Sequence, residues 1–135
     1  RAEAYVRRLL AHLDYVGVLA LELFVCGDDL LANEFAPRVH NSGHWTIEGS
    51  ATSQFENHLR AVTNQPLGPT TSIGHAGMIN LIGTIPEGAR SGHRGYLHDY
   101  GKSPRPGRKL GHITVTAETA AGRDKLIDII SQSVT

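Results

Sequence analysis

Two apolar, strand-forming runs flank a short polar segment near the start of the chain, and this pattern restricts the local fold to a β-hairpin. The runs are residues 15–25 (YVGVLALELFV) and 30–36 (LLANEFA), and the segment between them holds Gly27, Asp28 and Asp29. Glycine and aspartate are the residues that short hairpin loops prefer. The sequence therefore predicts an antiparallel pair of strands centred on Asp28.

This hairpin would bring two acidic side chains together. If it centres on the middle aspartate, Val25 pairs with Leu31. The same register places Glu22 directly opposite Glu34, where Cβ atoms lie about 4.5–5.5 Å apart. Two carboxylates at this separation repel each other by about 3 kcal/mol at an effective dielectric of about 20. The neighbours on the same face are apolar, so we expect poor screening by solvent: Val18, Ala20, Phe24 and Ala32.

A shared divalent cation or a shared proton relieves such repulsion, and we therefore predict a metal site at Glu22 and Glu34. Carboxylate oxygens suit Mg²⁺ or Mn²⁺, which commonly bridge to nucleotide phosphates. An ordinary buried ion pair with Arg38 or Lys102 is the alternative interpretation.

The histidines nearby do not predict a zinc site. His40 and His44 are four residues apart, a spacing that binds zinc when a helix stacks the two rings on one face. Residues 41–43 (Asn-Ser-Gly) are poor helix formers, so zinc is disfavoured.

Composition excludes several classes of protein. The chain has 135 residues, enough for one domain or two small lobes with a core. Its thirteen basic and thirteen acidic residues cancel, which leaves no net field to attract nucleic acid or anionic lipid. The single cysteine, Cys26, excludes an internal disulfide and is typical of a reducing cytoplasm. No apolar run approaches the roughly 18 residues that a membrane helix needs. Because the chain starts at Arg1, directly in a helical pattern, we expect it to be a piece of a longer protein.

Apolar periodicity predicts an α+β chain with helices near both ends. The predicted helices are residues 2–13, a helix after the Ser53–Glu56 capping box, and a final helix around residues 126–130. Beyond the hairpin, strands are predicted at residues 78–82, 96–100 and 112–117.

Polar and glycine-rich segments separate these elements. Residues 38–50 and 84–95 are predicted to be loops, and residues 69–77 a linker or a crossing between strands. Because the composition changes in that linker, we predict two units, residues 1–68 and 69–135.

The hairpin leads into a loop rich in hydrogen-bond donors. Arg38 can present a bidentate fork to a planar oxyanion such as bicarbonate. His40 can move a proton near neutral pH. Asn41, Ser42 and the backbone of Gly43 can line an anion pocket. The alternative is a polar connection in which these residues only satisfy turn chemistry.

A second polar cluster places four cations within eight residues: Lys102, Arg105, Arg108 and Lys109. Pro104 and Pro106 stiffen this turn, so little side-chain order is lost when it binds a phosphate ester. A solvated basic loop is the commoner explanation of such a run. Nucleic-acid binding is a third, which the lack of a helix, an aromatic platform or a wider basic surface disfavours.

Three motifs, taken in order, resemble a known family of enzymes. They are ELF at residues 22–24 with NEFAPRVHNSGHW at 33–45, SQFENHLRA at 53–61, and LHDYGKSPRPGRKLGH at 97–112. Together they resemble 5-(carboxyamino)imidazole ribonucleotide synthase, one of the ATP-grasp ligases, from about residue 15 to residue 112. The resemblance implies the second half of an ATP-grasp domain, an antiparallel sheet with helices, followed by a small C-terminal β-rich domain.

The resemblance also implies a reaction. This is the ATP-dependent carboxylation of 5-aminoimidazole ribonucleotide by bicarbonate, which gives 5-(carboxyamino)imidazole ribonucleotide in de novo purine biosynthesis. Glu22 and Glu34 would hold Mg²⁺ or Mn²⁺ on the ATP phosphates, with Asn33 beside them in the ATP site. In the wider superfamily an asparagine two residues after the second glutamate often completes the metal shell. Ala36 stands there in this chain, so water or Asn33 is expected to substitute.

The remaining site residues follow from the same resemblance. Arg38, His40 and Asn41 are implied as the group that binds bicarbonate and transfers the carboxyl. The residues implied to bind substrate are Ser42, Gly43, Lys102, Arg105, Arg108 and Lys109. The four cations among them would bind the 5′-phosphate of the ribonucleotide.

The chain contains nothing that resembles the family's N-terminal domain or its ATP-clamping lobe. We therefore expect it to lack turnover alone and to work with the N-terminal part of the same enzyme, as a homodimer without nucleic-acid or membrane partners. A non-catalytic anion- or nucleotide-binding module that retains the ATP-grasp fold is the alternative, and a plain structural domain is a third interpretation.

Overall fold

The computed structural model describes residues 1–91 and 94–134, and the chain forms two compact units. The first consists of Arg1–His44 and Thr52–Pro69, and the second of Trp45–Ala51 and the described residues from Thr70 onward. In chain order the elements are α1 (Ala2–Leu13), β1 (Ala20–Cys26), β2 (Asp29–Ala36), α2 (Thr46–Gly49), α3 (Gln54–Val62), β3 (His75–Ile82), β4 (Tyr96–Asp99), β5 (Lys109–Ala117) and α4 (Ala120–Val134), with short 3-10 helices at Asn41–Gly43 and Glu87–Ala89. None of the helices in these described ranges is long and apolar enough to span a membrane.

The first unit is built from α1, the β1–β2 hairpin and α3. Helix α1 has the predicted bounds, and the left-handed conformation of Asp14 (φ 47°) ends it. The Oγ of Ser53 accepts a hydrogen bond of 3.1 Å from the backbone N–H of Glu56, which confirms the predicted start of α3. The carboxylate of Glu56 binds Arg60 at 2.6 Å one turn later.

The hairpin forms, but its turn is tighter than predicted. Cys26 pairs with Asp29 and Val25 with Leu30, so the loop contains only Gly27 and Asp28. Gly27 has a φ of 61°, which a two-residue hairpin loop requires and which glycine adopts without strain. The predicted pairing of Val25 with Leu31 is therefore wrong by one residue at this end of the hairpin.

A β-bulge in the middle of the hairpin removes this one-residue difference from the predicted register. Leu23 pairs with Ala32, but the next pair is Leu21 with Phe35. One residue of β1 therefore lies opposite two residues of β2, as a bulge requires. Beyond the bulge the strands have the predicted register.

The second unit is a three-stranded antiparallel sheet in the order β3-β5-β4. Strand β5 is central, and alternate side chains of β5 point to opposite faces. One face meets α4 through the apolar core, whose buried members are Leu81, Ala89, Ile113, Val115 and Ile130. Helix α2 contacts β5 and β3, and a Cβ added to its Gly49 would lie only 2.5 Å from the Cβ of Ala76.

Two predicted loops contain structure that the sequence patterns did not indicate. Residues 38–50 include a 3-10 helix and α2, and α2 places residues 45–51 with the second unit. Residues 84–95 include the 3-10 helix Glu87–Ala89, and Ala89 is fully buried in the core. Gly92 and His93 of that predicted loop lie outside the described residues. Strands β3 and β5 also begin three residues earlier than predicted, since pairing in the sheet extends them.

Candidate functional site

The bulge brings the two predicted metal ligands together. Because Leu23 pairs with Ala32 and Leu21 with Phe35, the single residue Glu22 faces both Asn33 and Glu34. The Nδ2 of Asn33 donates a hydrogen bond of 3.2 Å to Oε2 of Glu22. Asn33 thus acts as a donor to the carboxylate and orients it.

His40 completes this cluster from the loop that follows β2. Its Nε2 lies 3.7 Å from Oε1 of Glu22 and 3.5 Å from Oε1 of Glu34. One ligand atom from each of the three residues lies within 4.8 Å of the other two. The two carboxylates supply oxygen donors that suit a divalent cation, and the imidazole of His40 lies beside them.

The structure corrects the expectation that solvent screens Glu22 and Glu34 poorly. Their side chains are 40% and 58% exposed. His40 lies beside them, and the metal site at the two carboxylates stays a prediction. The hairpin alone leaves that face open, so water reaches both carboxylates.

The tautomer of His40 follows from its local contacts. The backbone N–H of Ser42 donates to Nδ1 at 3.3 Å, and the Ser42 hydroxyl lies 2.9 Å from the same atom. A neutral ring that accepts at Nδ1 carries its proton on Nε2. That nitrogen faces the two glutamates, so the proton points into the cluster.

Gln54, which sequence reasoning missed, holds the backbone of His40 at both ends. Its Oε1 accepts from the His40 N–H at 3.0 Å, and its Nε2 donates to the His40 carbonyl at 2.7 Å. The same Nε2 lies 2.8 Å from Nδ1 of His44. A Cβ at Gly43 would come within 2.7 Å of Oε1 of Gln54, so glycine leaves the room that this amide needs. The only sequence signal for Gln54 is its place directly after the α3 cap.

The other residues of the predicted anion loop lie next to this cluster in the chain. Arg38 is exposed, and its guanidinium donates to the carbonyl of Val39 at 3.0 Å. Asn41, Ser42 and Gly43 form the 3-10 helix, whose first turn is capped by the ring of His40. His44 contacts Gln54 and the ring of Phe55. The rings of His40 and His44 have different neighbours: the His40 ring faces the two glutamates, and the His44 ring contacts Gln54 and Phe55.

The four predicted phosphate-binding cations lie in the second unit. Lys102 and Arg105 stand on the connection between β4 and β5, and Lys109 begins β5; all three are exposed, and Arg108 is half-buried. The N–H of Arg108 donates to the carbonyl of Arg105 at 3.0 Å, which forms the turn. The ammonium of Lys102 lies 4.9 Å from the centre of the Tyr100 ring. This distance is within the range of a cation–π contact.

Known proteins match both units. A model of the ATP-grasp domain matches residues 1–55, and one of the phosphoribosylaminoimidazole carboxylase C-terminal domain matches residues 76–125. The N5-carboxyaminoimidazole ribonucleotide synthase of Pseudomonas aeruginosa is 58% identical over 116 residues, which are 84% of this chain and 32% of that protein. The chain belongs to the N5-carboxyaminoimidazole ribonucleotide synthase family. This name is another form of 5-(carboxyamino)imidazole ribonucleotide synthase.

Solved structures of the family agree with the fold. The N5-carboxyaminoimidazole ribonucleotide synthetase from Thermus thermophilus has a TM-score of 0.90 at 54% identity, covering 99% of this chain and 38% of that one. The Aspergillus clavatus synthase in complex with ADP and 5-aminoimidazole ribonucleotide has a TM-score of 0.84 at 38% identity, covering 96% and 39%. The predicted fold class is confirmed: the second half of an ATP-grasp domain precedes a small sheet domain.

The chain spans about a third of the length of the curated N5-carboxyaminoimidazole ribonucleotide synthases that it matches, 32% for each of two bacterial relatives. The two family models leave residues 56–75 between them. The predicted boundary between residues 68 and 69 falls in this interval and stays a prediction.

Proposed function

We propose that this chain supplies part of the active site of an enzyme that carboxylates 5-aminoimidazole ribonucleotide with ATP and bicarbonate. The product would be N5-carboxyaminoimidazole ribonucleotide, in purine biosynthesis. The observation that carries the proposal is the cluster of Glu22, Glu34 and His40, in a chain that belongs to this family. ADP and the aminoimidazole ribonucleotide bound to the Aspergillus clavatus synthase support the choice of substrates.

Glu22 and Glu34 would hold Mg²⁺ or Mn²⁺ in the ATP site. When bound, the ion neutralises charge on the phosphates of ATP during phosphoryl transfer. Asn33 supports this role, since its amide orients the carboxylate of Glu22. Water or Asn33 would complete the shell in place of the asparagine that Ala36 replaces.

Bicarbonate would be bound, and the carboxyl group transferred, by Arg38, His40 and Asn41. The planar guanidinium of Arg38 matches a planar oxyanion, with two parallel N–H donors. His40 would move a proton at Nε2, the nitrogen that its contacts leave facing the cluster. Asn41, Ser42 and Gly43 would line the anion pocket through the 3-10 helix.

The cationic turn of the second unit would bind the 5′-phosphate of the ribonucleotide. The arrangement supports this role, because Lys102, Arg105 and Arg108 lie on the connection between β4 and β5 and Lys109 begins β5. Cations on a rigid turn lose little conformational freedom when a phosphate binds. The homodimer, the N-terminal part that completes the ATP site and a cytoplasmic location rest on the family resemblance and belong to the same proposal.

The substitution Glu34→Gln in the full-length enzyme tests the metal site. It removes one of two like charges and one ligand oxygen of full charge, so we expect at least a hundredfold loss of carboxylation-dependent ATP hydrolysis and a higher Mg²⁺ requirement. The assay measures phosphate release that depends on both bicarbonate and the aminoimidazole ribonucleotide. Glu118→Gln is a matched control, because Glu118 is an exposed glutamate of the second unit.

Near-normal turnover and an unchanged Mg²⁺ requirement in the Glu34→Gln enzyme would overturn the metal assignment. A wild-type enzyme that binds nucleotide without hydrolysing it, under all substrate combinations, would instead favour a non-catalytic binding module.

A further inference from the structure

The face of the second sheet that turns away from α4 carries a row of polar side chains. His112 on the central strand pairs in register with Asn80 of β3 and with His98 of β4. His112 is 1% exposed, and Thr114 on the same face of β5 is fully buried. A buried sheet face is ordinarily apolar, so this row calls for a physical reason.

Glu48 of α2 reaches this row. Its Oε1 lies 2.6 Å from Nε2 of His98, and its side chain is only 12% exposed. A contact this short between a carboxylate and an imidazole has a proton between the two atoms. The ring of His98 stacks on that of His112, with 4.5 Å between the ring centroids and 13° between the planes.

The chain of contacts continues to the base of the cationic turn. Nδ1 of His112 lies 2.7 Å from the hydroxyl of Tyr100. The backbone N–H of Tyr100 donates to the carbonyl of Leu110 at 2.8 Å, so this residue closes the strand ladder where the turn begins. The ammonium of Lys102 lies over the Tyr100 ring at 4.9 Å.

Burying such a network lowers the stability of the fold. A buried carboxylate and imidazole lose their hydration, and apolar side chains of similar volume often give equal or greater stability. Polar contacts that link such residues in sequence do, however, restrict the orientation of each member. Its last member here is the aromatic ring beneath a lysine of the cationic turn.

We propose that Glu48, His98 and His112 are positioning residues that fix Tyr100, and through its ring fix Lys102, for the phosphate of the ribonucleotide. This inference rests on the proposed phosphate role of Lys102. Stacking between the two histidines sets the plane of His112, and its hydrogen bond sets the Tyr100 hydroxyl. The Tyr100 ring then restricts the positions that the Lys102 ammonium can adopt, so less freedom is lost when the phosphate binds.

The substitution Tyr100→Phe in the full-length enzyme tests this chain of contacts, because it removes the hydroxyl and keeps the ring. Loss of one hydrogen bond predicts a rise of about fivefold in the KM for the aminoimidazole ribonucleotide. The kcat and the KM for ATP should change less than twofold, since the contact affects ribonucleotide binding alone. Tyr96→Phe is the matched control: Tyr96 begins β4, the strand that Tyr100 directly follows, and it is 54% exposed.

A double-mutant cycle with Lys102→Ala separates positioning from a general loss of structure. If Tyr100 acts through Lys102, Tyr100→Phe has no further effect on the ribonucleotide KM in the Lys102→Ala enzyme. Glu48→Gln gives a second measurement at the other end of the network. Its amide oxygen can still accept from His98, so the KM should rise less than in Glu48→Leu.

These kinetic results distinguish the positioning role from the phosphate role of Lys102. An unchanged KM in Tyr100→Phe, or an equal effect with and without Lys102, would overturn the positioning role and leave the phosphate role of Lys102 intact. A Lys102→Ala enzyme with an unchanged ribonucleotide KM would overturn that phosphate role, and the positioning role with it.

Discussion

A single amide decides how His40 is presented to the two glutamates. Gln54 pairs with both the N–H and the carbonyl of His40, in the way that a neighbouring strand would. His40, a loop residue, is therefore held in place by the first residue of the regular helix α3. Groups that act in a site gain precision when a rigid element holds them.

Replacing Gln54 by alanine should misplace His40 without removing it. Two hydrogen bonds to its backbone disappear, and a displacement of a reacting group by a fraction of an ångström is costly. We expect kcat of the full-length enzyme to fall by about tenfold, with a smaller change in the ribonucleotide KM. Steady-state kinetics measures both. Gln132→Ala, at an exposed position of α4, should leave them unchanged.

A wild-type kcat in the Gln54→Ala enzyme would show that the loop holds His40 by itself. Gln54→Glu should not restore activity, because a carboxylate oxygen would face the His40 carbonyl that the amide N–H now satisfies.

At the scale of elements, the bulge and the start of α3 together determine the geometry of the cluster. The bulge places one residue of β1 opposite two of β2, so Glu22 meets both Asn33 and Glu34. Helix α3 begins at Gln54, one residue after the Ser53 cap. The position of the amide that holds His40 thus depends on where the helix starts.

The substitution Ser53→Ala should loosen that helix start. The Ser53 hydroxyl satisfies the N–H of Glu56, and loss of such a cap costs about 1 kcal/mol. This loss of free energy should make amide hydrogen exchange of Glu56 about fivefold faster in the full-length enzyme. Ser53→Asp should restore protection, since aspartate caps equally well, and Ser103→Ala in the exposed turn serves as control. Equal exchange in the Ser53→Ala and wild-type enzymes would contradict this role.

At the scale of the whole molecule, the two units are stabilised differently. The second has a compact core beneath α4, and Ile113, Val115 and Ile130 are at most 1% exposed. The first contributes only Ala36 to the buried apolar residues, and its hairpin exposes Phe24, Val25, Leu31 and Phe35. Burial of apolar surface is the main stabilising contribution to folding, so the second unit should open less readily than the first.

Truncation of Ile130 should therefore affect one unit alone. Ile130→Ala leaves a cavity in the core, which costs about 2–5 kcal/mol. We expect the β5 amides to exchange faster in the full-length enzyme, while those of β1 and β2 keep their rates. Ile129→Ala is a close control, because the neighbouring isoleucine is 50% exposed. Faster exchange in both units would show that they unfold together.

Local patterns in the sequence were enough for the hairpin, α1, the α3 cap and the family. Turn residues, apolar periodicity and capping act over a few positions, so they can be read without the rest of the fold. Glu22, Glu34 and His40 were all identified in this way. Their roles, and those of the cationic turn, stay predictions that the kinetic experiments above address.

Only the tertiary structure revealed the bulge, the two hydrogen bonds between Gln54 and the His40 backbone, the burial of Ala89 and the contacts that join Glu48, His98 and His112. Each depends on residues far apart in the chain: Glu48 and His98 are separated by 50 positions. Local sequence carries no register for such pairs, because a strand or loop can meet many partners with the same periodicity. The packing of whole elements chooses among those partners, and that choice places His40 beside the glutamates and Tyr100 beneath Lys102.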